Sequence, residues 1–227
     1  MNDHLNQTFY TQARYYVWKG FRLLGVDGSR LLLPNHKTIV EKCGVHEFGP
    51  NAGSRRSMAL ISLMYDVLNL VTIDAQMAPY TSSERELLYK HLDKAGKNDL
   101  LLMDRGYPSI ALMFLLIAKG IAFCIRMKDD WWLSVKEFKE SGEKVRIFSF
   151  KLPKKDRYLL EEYPYEDFKE LYHYRWKEEE GYKVFKARAE IECFTGKTAL
   201  AVEQDFYARI FAMSYCAIFW PSQKKKK

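Results

Sequence analysis

One short run constrains the fold of this chain more than any other part of the sequence. Residues 100–103 (L-L-L-M) are wholly apolar, and a turn follows directly at Asp104. A helix pattern precedes the run at residues 84–94, and another follows it at residues 109–119. A strand that is apolar on both faces is covered on both faces, as the central strand of an α/β sheet is. The sequence therefore predicts an α/β fold built around this strand.

Other strand patterns lie on both sides of this run. Asp27-Gly28 separates two of them and indicates a tight hairpin, in which Asp27, taken alone, is a turn residue. Ser82 or Ser83 is a candidate cap for the helix at residues 84–94. The predicted strands are residues 21–26, 30–33, 58–65, 69–74, 100–103 and 121–126. Antiparallel strands, then helix, buried strand, helix and strand form an order that resembles ribonuclease H.

The second half of the chain has a different sequence pattern. From about residue 131 to 163, charges alternate with short β-like pieces such as residues 145–150, which we interpret as an insertion before a long helix that begins near Tyr165. Residues 194–219 predict one or two helices beside the core. The predicted organisation is an aromatic-rich lead-in at 1–20, a single domain at 21–219 with the insertion at about 131–163, and a basic tail at 220–227.

Composition narrows the class of protein. The 227 residues suit one domain, and the net charge of +7 with a pI near 9.1 favours a polyanionic partner. The four cysteines are scattered without a C-x-x-C pair, which indicates reduced thiols rather than a zinc or redox motif. The amino terminus has no apolar signal core, and the longest apolar run is too short to span a bilayer. A cytoplasmic protein outside the membrane is expected.

The stretch at residues 172–186 predicts a helix with one unusual face. At about 100° per residue, five side chains fall within an arc of roughly 100°. They are Tyr172, Arg175, Trp176, Glu179 and Lys186. Three others point broadly toward a core: Tyr174, Val184 and Phe185. Two cations, two aromatic rings and a carboxylate on one face suit a DNA backbone, with the carboxylate kept for a metal ion.

Three carboxylates are candidate metal ligands. Asp27 is expected to end the first strand, Asp104 ends the buried strand, and Glu179 lies on the helix face described above. Acidic ligands that converge from different elements hold two Mg²⁺ or Mn²⁺ ions in phosphoryl-transfer sites. Simpler interpretations stay open for single residues: Asp104 as an N-cap or a partner of Arg105, and Glu179 as an ion-pair partner of Lys183.

The spacing Y-(2)-R-(3)-E-(6)-K at residues 172–186 is typical of IS4-family transposases. Three further blocks match that family in order: V-D-G-S-R-L-L-L-P at 26–34, L-M-D-R-G-Y at 102–107 and F-T-G-K-T-A-L-A-V-x-Q-D-F-Y-A at 194–208. Together the blocks cover most of residues 21–215. The chain therefore resembles an IS4-family DDE transposase catalytic domain.

This resemblance implies an RNase H-like core of the retroviral-integrase type, with a short β-rich insertion before the last catalytic helix. It implies that Asp27, Asp104 and Glu179 form the catalytic triad and bind two Mg²⁺ or Mn²⁺ ions. The implied activity is hydrolysis and strand transfer at transposon ends, as cut-and-paste transposition through a hairpin intermediate. The partners would be terminal inverted repeats, target DNA and a second copy of the chain, in the prokaryotic cytoplasm and at the nucleoid when DNA is bound.

The resemblance also implies DNA contacts. Tyr172, Arg175 and Lys186 would contact phosphates near the cleaved end, and Trp176 would hold the strand that bends into the hairpin. Arg and Lys neutralise phosphate, and aromatic rings stack on unpaired bases, which agrees with these roles. Trp131 or Trp132 is a candidate for an aromatic wedge behind a flipped base, with core packing the simpler interpretation.

Two departures from the family define the alternatives. Only 26 residues precede Asp27, where members carry a separate domain that reads the ends, and the interval between Asp104 and Glu179 is short. The chain is thus expected to be truncated at its amino terminus. The alternative function is an inactive transposase relic that binds DNA or full-length enzyme without cutting. A generic RNase H-like nuclease is a third reading.

Overall fold

The computed structural model describes residues 2–47, 55–129, 133–146, 174, 180–181, 183, 186–187 and 189–219. Its strands are β1 (Arg22–Leu32), β2 (Val45–Glu47), β3 (Arg55–Asp66), β4 (Val71–Pro79), β5 (Asp99–Met103) and β6 (Ala122–Ile125). Its helices are α1 (Asn2–Gln12), α2 (Lys37–Cys43), α3 (Glu84–His91), α4 (Ile110–Lys119), α5 (Leu133–Ser141) and α6 (Ala199–Phe219). A 3₁₀ turn, Leu92–Lys94, extends α3.

The sheet is mixed, and β1 lies at its centre. On one side β1 pairs antiparallel with β3, which pairs antiparallel with β4 and, through its first residues, with β2. On the other side β1 pairs parallel with β5, and β5 pairs parallel with β6. The predicted order of antiparallel strands, helix, buried strand, helix and strand is present, except that the strands predicted at 21–26 and 30–33 form the single strand β1. The predicted buried strand is β5.

Alternate residues of β1 enter two different cores. Leu24 and Val26 pack in a cluster with residues of α3 and α4, such as Leu88 and Leu112. Leu31 packs on the opposite face with residues of α2 and α6, such as Phe206. Because successive side chains of a strand point to opposite faces, the sheet is a middle layer between two layers of helices. The mixed sheet and its layers agree with the α/β class.

The two helices that flank β5 begin and end at predicted signals. The Ser83 side chain accepts a hydrogen bond from the backbone N–H of Glu86, whose side chain accepts one from the Ser83 N–H, which forms a capping box. Ser109 caps α4, and Gly120 ends it with a left-handed φ of +66°.

The predicted hairpin at Asp27-Gly28 is wrong. Both residues lie inside β1, where Asp27 pairs with Leu63 and Gly28 with Ser62 of β3. An Asp-Gly step favours a tight turn only when the flanking strands pair with each other. Here the long strand β3 supplies a partner along nearly all of β1, and this tertiary pairing outweighs the local turn preference.

Three other segments differ from the sequence prediction. The lead-in contains α1, whose Asn6 side chain donates hydrogen bonds to the carbonyl groups of Thr72 and Ile73 of β4. The loop expected at residues 44–57 holds β2 and the start of β3. The described part of the insertion, residues 133–146, holds helix α5 rather than β-like pieces, and residues 147–173 lie outside the described residues. None of the described helices is both long enough and apolar enough to cross a membrane.

Candidate active site

The pairing of β1 with β5 brings two of the predicted carboxylates together. The parallel register runs from Arg22↔Asp99 to Gly25↔Leu102 without a shift. The same alignment, continued by two residues, places Asp27 beside Asp104. Asp104 directly follows β5, as predicted, whereas Asp27 lies inside β1 and does not end it. Both side chains are half-buried at the point where the parallel ladder stops.

The helix that carries the sequence signature covers the same face of the sheet. Tyr174 packs with Leu23 and Leu100, as its predicted inward direction requires. Further along this helix, a Cβ added to Gly181 would lie 3.3 Å from the Tyr65 ring. Tyr65 stands two residues from Leu63, the partner of Asp27, and residues two apart on a strand share a face. The described helical residues 174 and 181 therefore lie over the face of the sheet that carries Asp27.

Of the predicted DNA contacts, Lys186 alone lies in the described part of the chain. Its Nζ donates a hydrogen bond of 2.9 Å to the carbonyl oxygen of Arg30 in β1, three residues after Asp27. The other predicted site residues lie outside the described residues: Glu179, Tyr172, Arg175, Trp176, Trp131 and Trp132. The inward residues Val184 and Phe185 and the expected helix start at Tyr165 lie outside them too.

Glu84 is a further carboxylate, close to Asp104, which the sequence analysis missed. A Cβ added to Gly28 would lie 2.5 Å from the Glu84 Cγ, so the side chain lies directly against the backbone next to Asp27. A Cβ added to Gly106 would lie 3.0 Å from Asp104 Oδ1 and 3.7 Å from Glu84 Oε2. Glu84 is the first residue of α3. Acidic residues are common in the first turn of a helix, so the sequence does not indicate that Glu84 lies close to Asp104.

The site is negatively charged where these carboxylates meet. Burial raises the pKa of Glu84, the charge of Asp104 raises it further, and Arg30 partly offsets both effects. Asp104 Oδ1 accepts a 2.7 Å hydrogen bond from the Gly106 backbone N–H, which fixes the turn that follows β5. Unlike the simpler sequence interpretation, this contact joins Asp104 to Gly106 and not to a helix N-terminus.

A buried hydrogen-bonded chain supports Asp27 from behind. Asp74 of β4 contacts His91 Nδ1 at 2.7 Å, and His91 Nε2 contacts Ser62 Oγ at 3.0 Å. The Ser62 hydroxyl donates to the backbone carbonyl of Asp27 at 3.1 Å. The His91 side chain is fully buried and that of Asp74 nearly so. The chain thus joins α3, β3 and β4 to β1 at the position of the first aspartate.

Asp74 accepts two side-chain hydrogen bonds in this chain. They come from His91 Nδ1 and from the Gln76 amide, each at 2.7 Å. Burial raises the pKa of Asp74, but hydrogen bonds from His91 and Gln76 outweigh it and lower the pKa overall.

A comparison with protein families identifies the family of this chain. A family model described as "Transposase DDE domain" matches residues 18–216, a span that includes Asp27, Asp104 and position 179. The chain belongs to this transposase DDE domain family. No curated protein matches it. Membership implies an RNase H-like fold, with which the mixed sheet of this DDE domain agrees, and metal-dependent DNA phosphoryl transfer as the chemistry of the family.

The donor set of this DDE domain fits the divalent ions that the family uses. Asp27 and Asp104 offer carboxylate oxygens from neighbouring strands, and hard cations such as Mg²⁺ and Mn²⁺ prefer oxygen ligands. Within the described residues, His, Cys, Asp and Glu form no group of three placed to hold a metal ion, and Glu179 lies outside them.

Proposed function

We propose that this DDE domain is the catalytic domain of an IS4-family transposase, which hydrolyses and transfers DNA strands at transposon ends. One observation carries the proposal: Asp27 and Asp104 lie side by side where the β1–β5 ladder stops, on the face that the signature helix covers. The four ordered sequence blocks support the IS4 assignment. The match to the DDE family supports the chemistry.

In this proposal Asp27, Asp104 and Glu179 hold two Mg²⁺ or Mn²⁺ ions. Bound ions of this kind activate the attacking oxygen and stabilise the leaving oxygen of the phosphodiester. The chain's own contribution is orientation: the hydrogen bond from Ser62 and the pairing to β3 fix the backbone that carries Asp27. The Asp104 side chain is held by the Gly106 N–H, so one of its oxygens stays in a defined direction.

The DNA contacts of the proposal come from the signature helix. Tyr172, Arg175 and Lys186 contact backbone phosphates, and Trp176 holds the strand that forms the hairpin. The position of the Lys186 ammonium at Arg30, three residues after Asp27, supports this direction of approach. The partners are terminal inverted repeats and target DNA, and the active form is a dimer that pairs two ends at the nucleoid.

The test is Mn²⁺-dependent cleavage of pre-nicked and flanked-end DNA by wild type and three variants, Asp27→Asn, Asp104→Asn and Glu179→Gln. We expect wild type to cleave and each variant to fall to background, because each loses a metal ligand. Asp93→Asn is the matched control, since Asp93 is exposed and its partner is Lys119. Circular dichroism checks that every variant is folded.

A second measurement separates the enzyme from the inactive relic. Mn²⁺ should raise the melting temperature of wild type and of Asp93→Asn, and it should not raise that of Asp27→Asn or Asp104→Asn. Absence of both cleavage and Mn²⁺-dependent stabilisation in wild type, with DNA binding retained, would replace the proposal with the relic.

A further inference from the structure

We infer that the cleft between β1 and the start of α3 binds the backbone of a single DNA strand, with Arg30 and Arg85 as its phosphate contacts. The inference rests on the proposed function for the identity of the polymer. It adds two contacts to those proposed for residues 172–186: Arg30 lies in the block at 26–34, and Arg85 lies outside all four blocks.

The cleft adjoins the turn that carries Asp104. Its volume is about 630 Å³. Gly106, two residues after Asp104, and Gly28, the residue after Asp27, both line the cleft, whereas neither aspartate does. The full lining is Gly28, Ser29, Arg30, Leu60, Tyr80, Ser82, Ser83, Glu84, Arg85, Gly106 and Lys186. A strand lying in this cleft would therefore pass next to the turn that follows β5.

Several arginines of the described chain are held by carboxylates, and the two arginines of the cleft are not. Arg22 pairs with Asp99, Arg55 with Glu47 and Arg146 with Glu143. Arg30 and Arg85 are exposed, and within the described residues neither makes an ion pair. A guanidinium presents several N–H donors in a fork that matches phosphate oxygens. Two such groups next to a phosphoryl-transfer site can bind successive phosphates of a DNA strand.

The remaining lining suits a nucleotide rather than a simple anion. Three serines and Tyr80 offer hydroxyl donors, which commonly contact phosphate and sugar. The Tyr80 ring is braced, because it meets the His46 ring edge-on at 5.5 Å and would contact a Cβ on Gly44 at 3.1 Å. A fixed aromatic ring beside cations is the pattern that binds unpaired bases.

The size of the cleft selects a single strand. Pockets of roughly 300–1,000 Å³ hold ligands of drug size. The cleft lies inside this range. One or two nucleotides of an unpaired strand fit such a space, whereas a base-paired duplex does not. The strand that is unpaired during transfer at the proposed site is thus the occupant.

The test measures binding by fluorescence anisotropy, with a labelled oligo(dT) of twelve nucleotides and a duplex of equal length. The buffer contains Ca²⁺, and the KCl concentration is varied. The variants are Arg30→Gln, Arg85→Gln and their combination. Arg14→Gln is the matched control, because Arg14 is exposed and outside the cleft. All four changes are at exposed side chains, so the proteins should fold normally.

We expect the double variant to bind oligo(dT) more weakly and with less dependence on salt. Each lost single-strand phosphate contact lowers the slope of log affinity against log salt by about 0.7, hence about 1.4 for two. That slope corresponds to an affinity about 25-fold lower at 0.1 M KCl. Each single variant should show about half of this decrease in slope. The affinity for the duplex should fall less, and Arg14→Gln should bind as wild type does.

Two results would overturn the inference: a double variant with the wild-type affinity and slope, or a wild type that does not bind oligo(dT). Its failure is distinguishable from failure of the proposed function. Carboxylate-dependent cleavage with unchanged binding by the double variant rejects the cleft alone. Weakened binding by the double variant without any cleavage rejects the catalytic proposal and keeps the cleft.

Discussion

Glu84 lies where a negative charge is unfavourable in the folded chain. It is half-buried, it lies against the Gly28 backbone, and Asp104 is close enough to raise its pKa after burial has done so. A carboxyl whose pKa is raised on folding contributes stability that is fully present below its unfolded pKa. That contribution is lost as the pH rises through the folded pKa. Sites that bind cations often carry this cost.

Glu84→Gln should therefore be more stable than wild type at pH 8, because the amide removes the charge and keeps the shape. The gain should shrink as the pH falls below the ordinary pKa of a glutamate, about 4.3, where both proteins are neutral at this position. Urea unfolding at several pH values measures the difference. Glu41→Gln is the control, since Glu41 is exposed and pairs only loosely with Lys37. A less stable Glu84→Gln at pH 8 would contradict this account.

At the scale of elements, the Asp74–His91–Ser62 chain joins three elements to β1. It is one of few polar networks in a core that is otherwise apolar around α3, with Leu88 and Leu92 close by. Because Ser62 donates to the Asp27 carbonyl, the network holds the middle of β1 in its pairing with β3. This support helps explain why Asp27-Gly28 stays extended and does not turn.

Removal of parts of this network should cost unequal amounts of stability. Ser62→Ala loses one hydrogen-bonding group and should lower the free energy of unfolding by about 1–2 kcal/mol. His91→Ala leaves Asp74 without its partner in a buried place and should cost about 3–5 kcal/mol. Urea unfolding with tryptophan fluorescence measures both.

Ser214→Ala is the matched control for Ser62→Ala. Ser214 is buried too, and its Oγ has no hydrogen-bond partner among the described residues. Its replacement should be neutral or slightly stabilising, since an unpaired polar group is removed. If Ser62→Ala were as neutral as Ser214→Ala, the hydrogen bond to Asp27 would contribute nothing to stability.

At the scale of the whole molecule, the four cysteines are free thiols that report how the two helical layers cover the sheet. Cys193 and Cys216 are exposed. Cys43, the last residue of α2, is buried, and burial raises the pKa of its thiol. Burial also raises the pKa of the Cys124 thiol, to about 11.

A thiol reagent at pH 8 should therefore react in two phases. Two thiols should react rapidly in the native protein. Buried Cys43 should react only as fast as the fold opens, and half-buried Cys124 should react slowly, because its raised pKa leaves little thiolate at pH 8. Titration with DTNB in buffer and in denaturant counts the groups. Cys193→Ser and Cys216→Ser should each remove one fast equivalent, whereas Cys43→Ser should remove a slow one. Four fast equivalents in the native state would contradict the packing of α2 and β6.

Local patterns predicted the parts of this protein that depend on neighbours in the chain. The buried strand β5, the Ser83 capping box, the Ser109 cap and the Gly120 stop arise from residues within a few positions of one another, so periodicity and capping chemistry reveal them. The family blocks added the identities of Asp27 and Asp104. The same local reasoning failed at Asp27-Gly28, where a turn signal competed with a partner strand more than thirty residues away.

The tertiary structure alone decided how distant residues meet. The register of β1 with β5 placed Asp27 beside Asp104, and the docking of α3 brought Glu84 and Arg85 to the same cleft as Arg30. The contact of His91 with Ser62 depends likewise on the packing of α3 against β3. No spacing in the sequence encodes these contacts, because they form between elements that are joined only by the hydrogen-bond ladder and the shared core. The sequence by itself thus determined β5, the helices that flank it and their caps, whereas sheet register and helix packing determined which distant side chains lie close together.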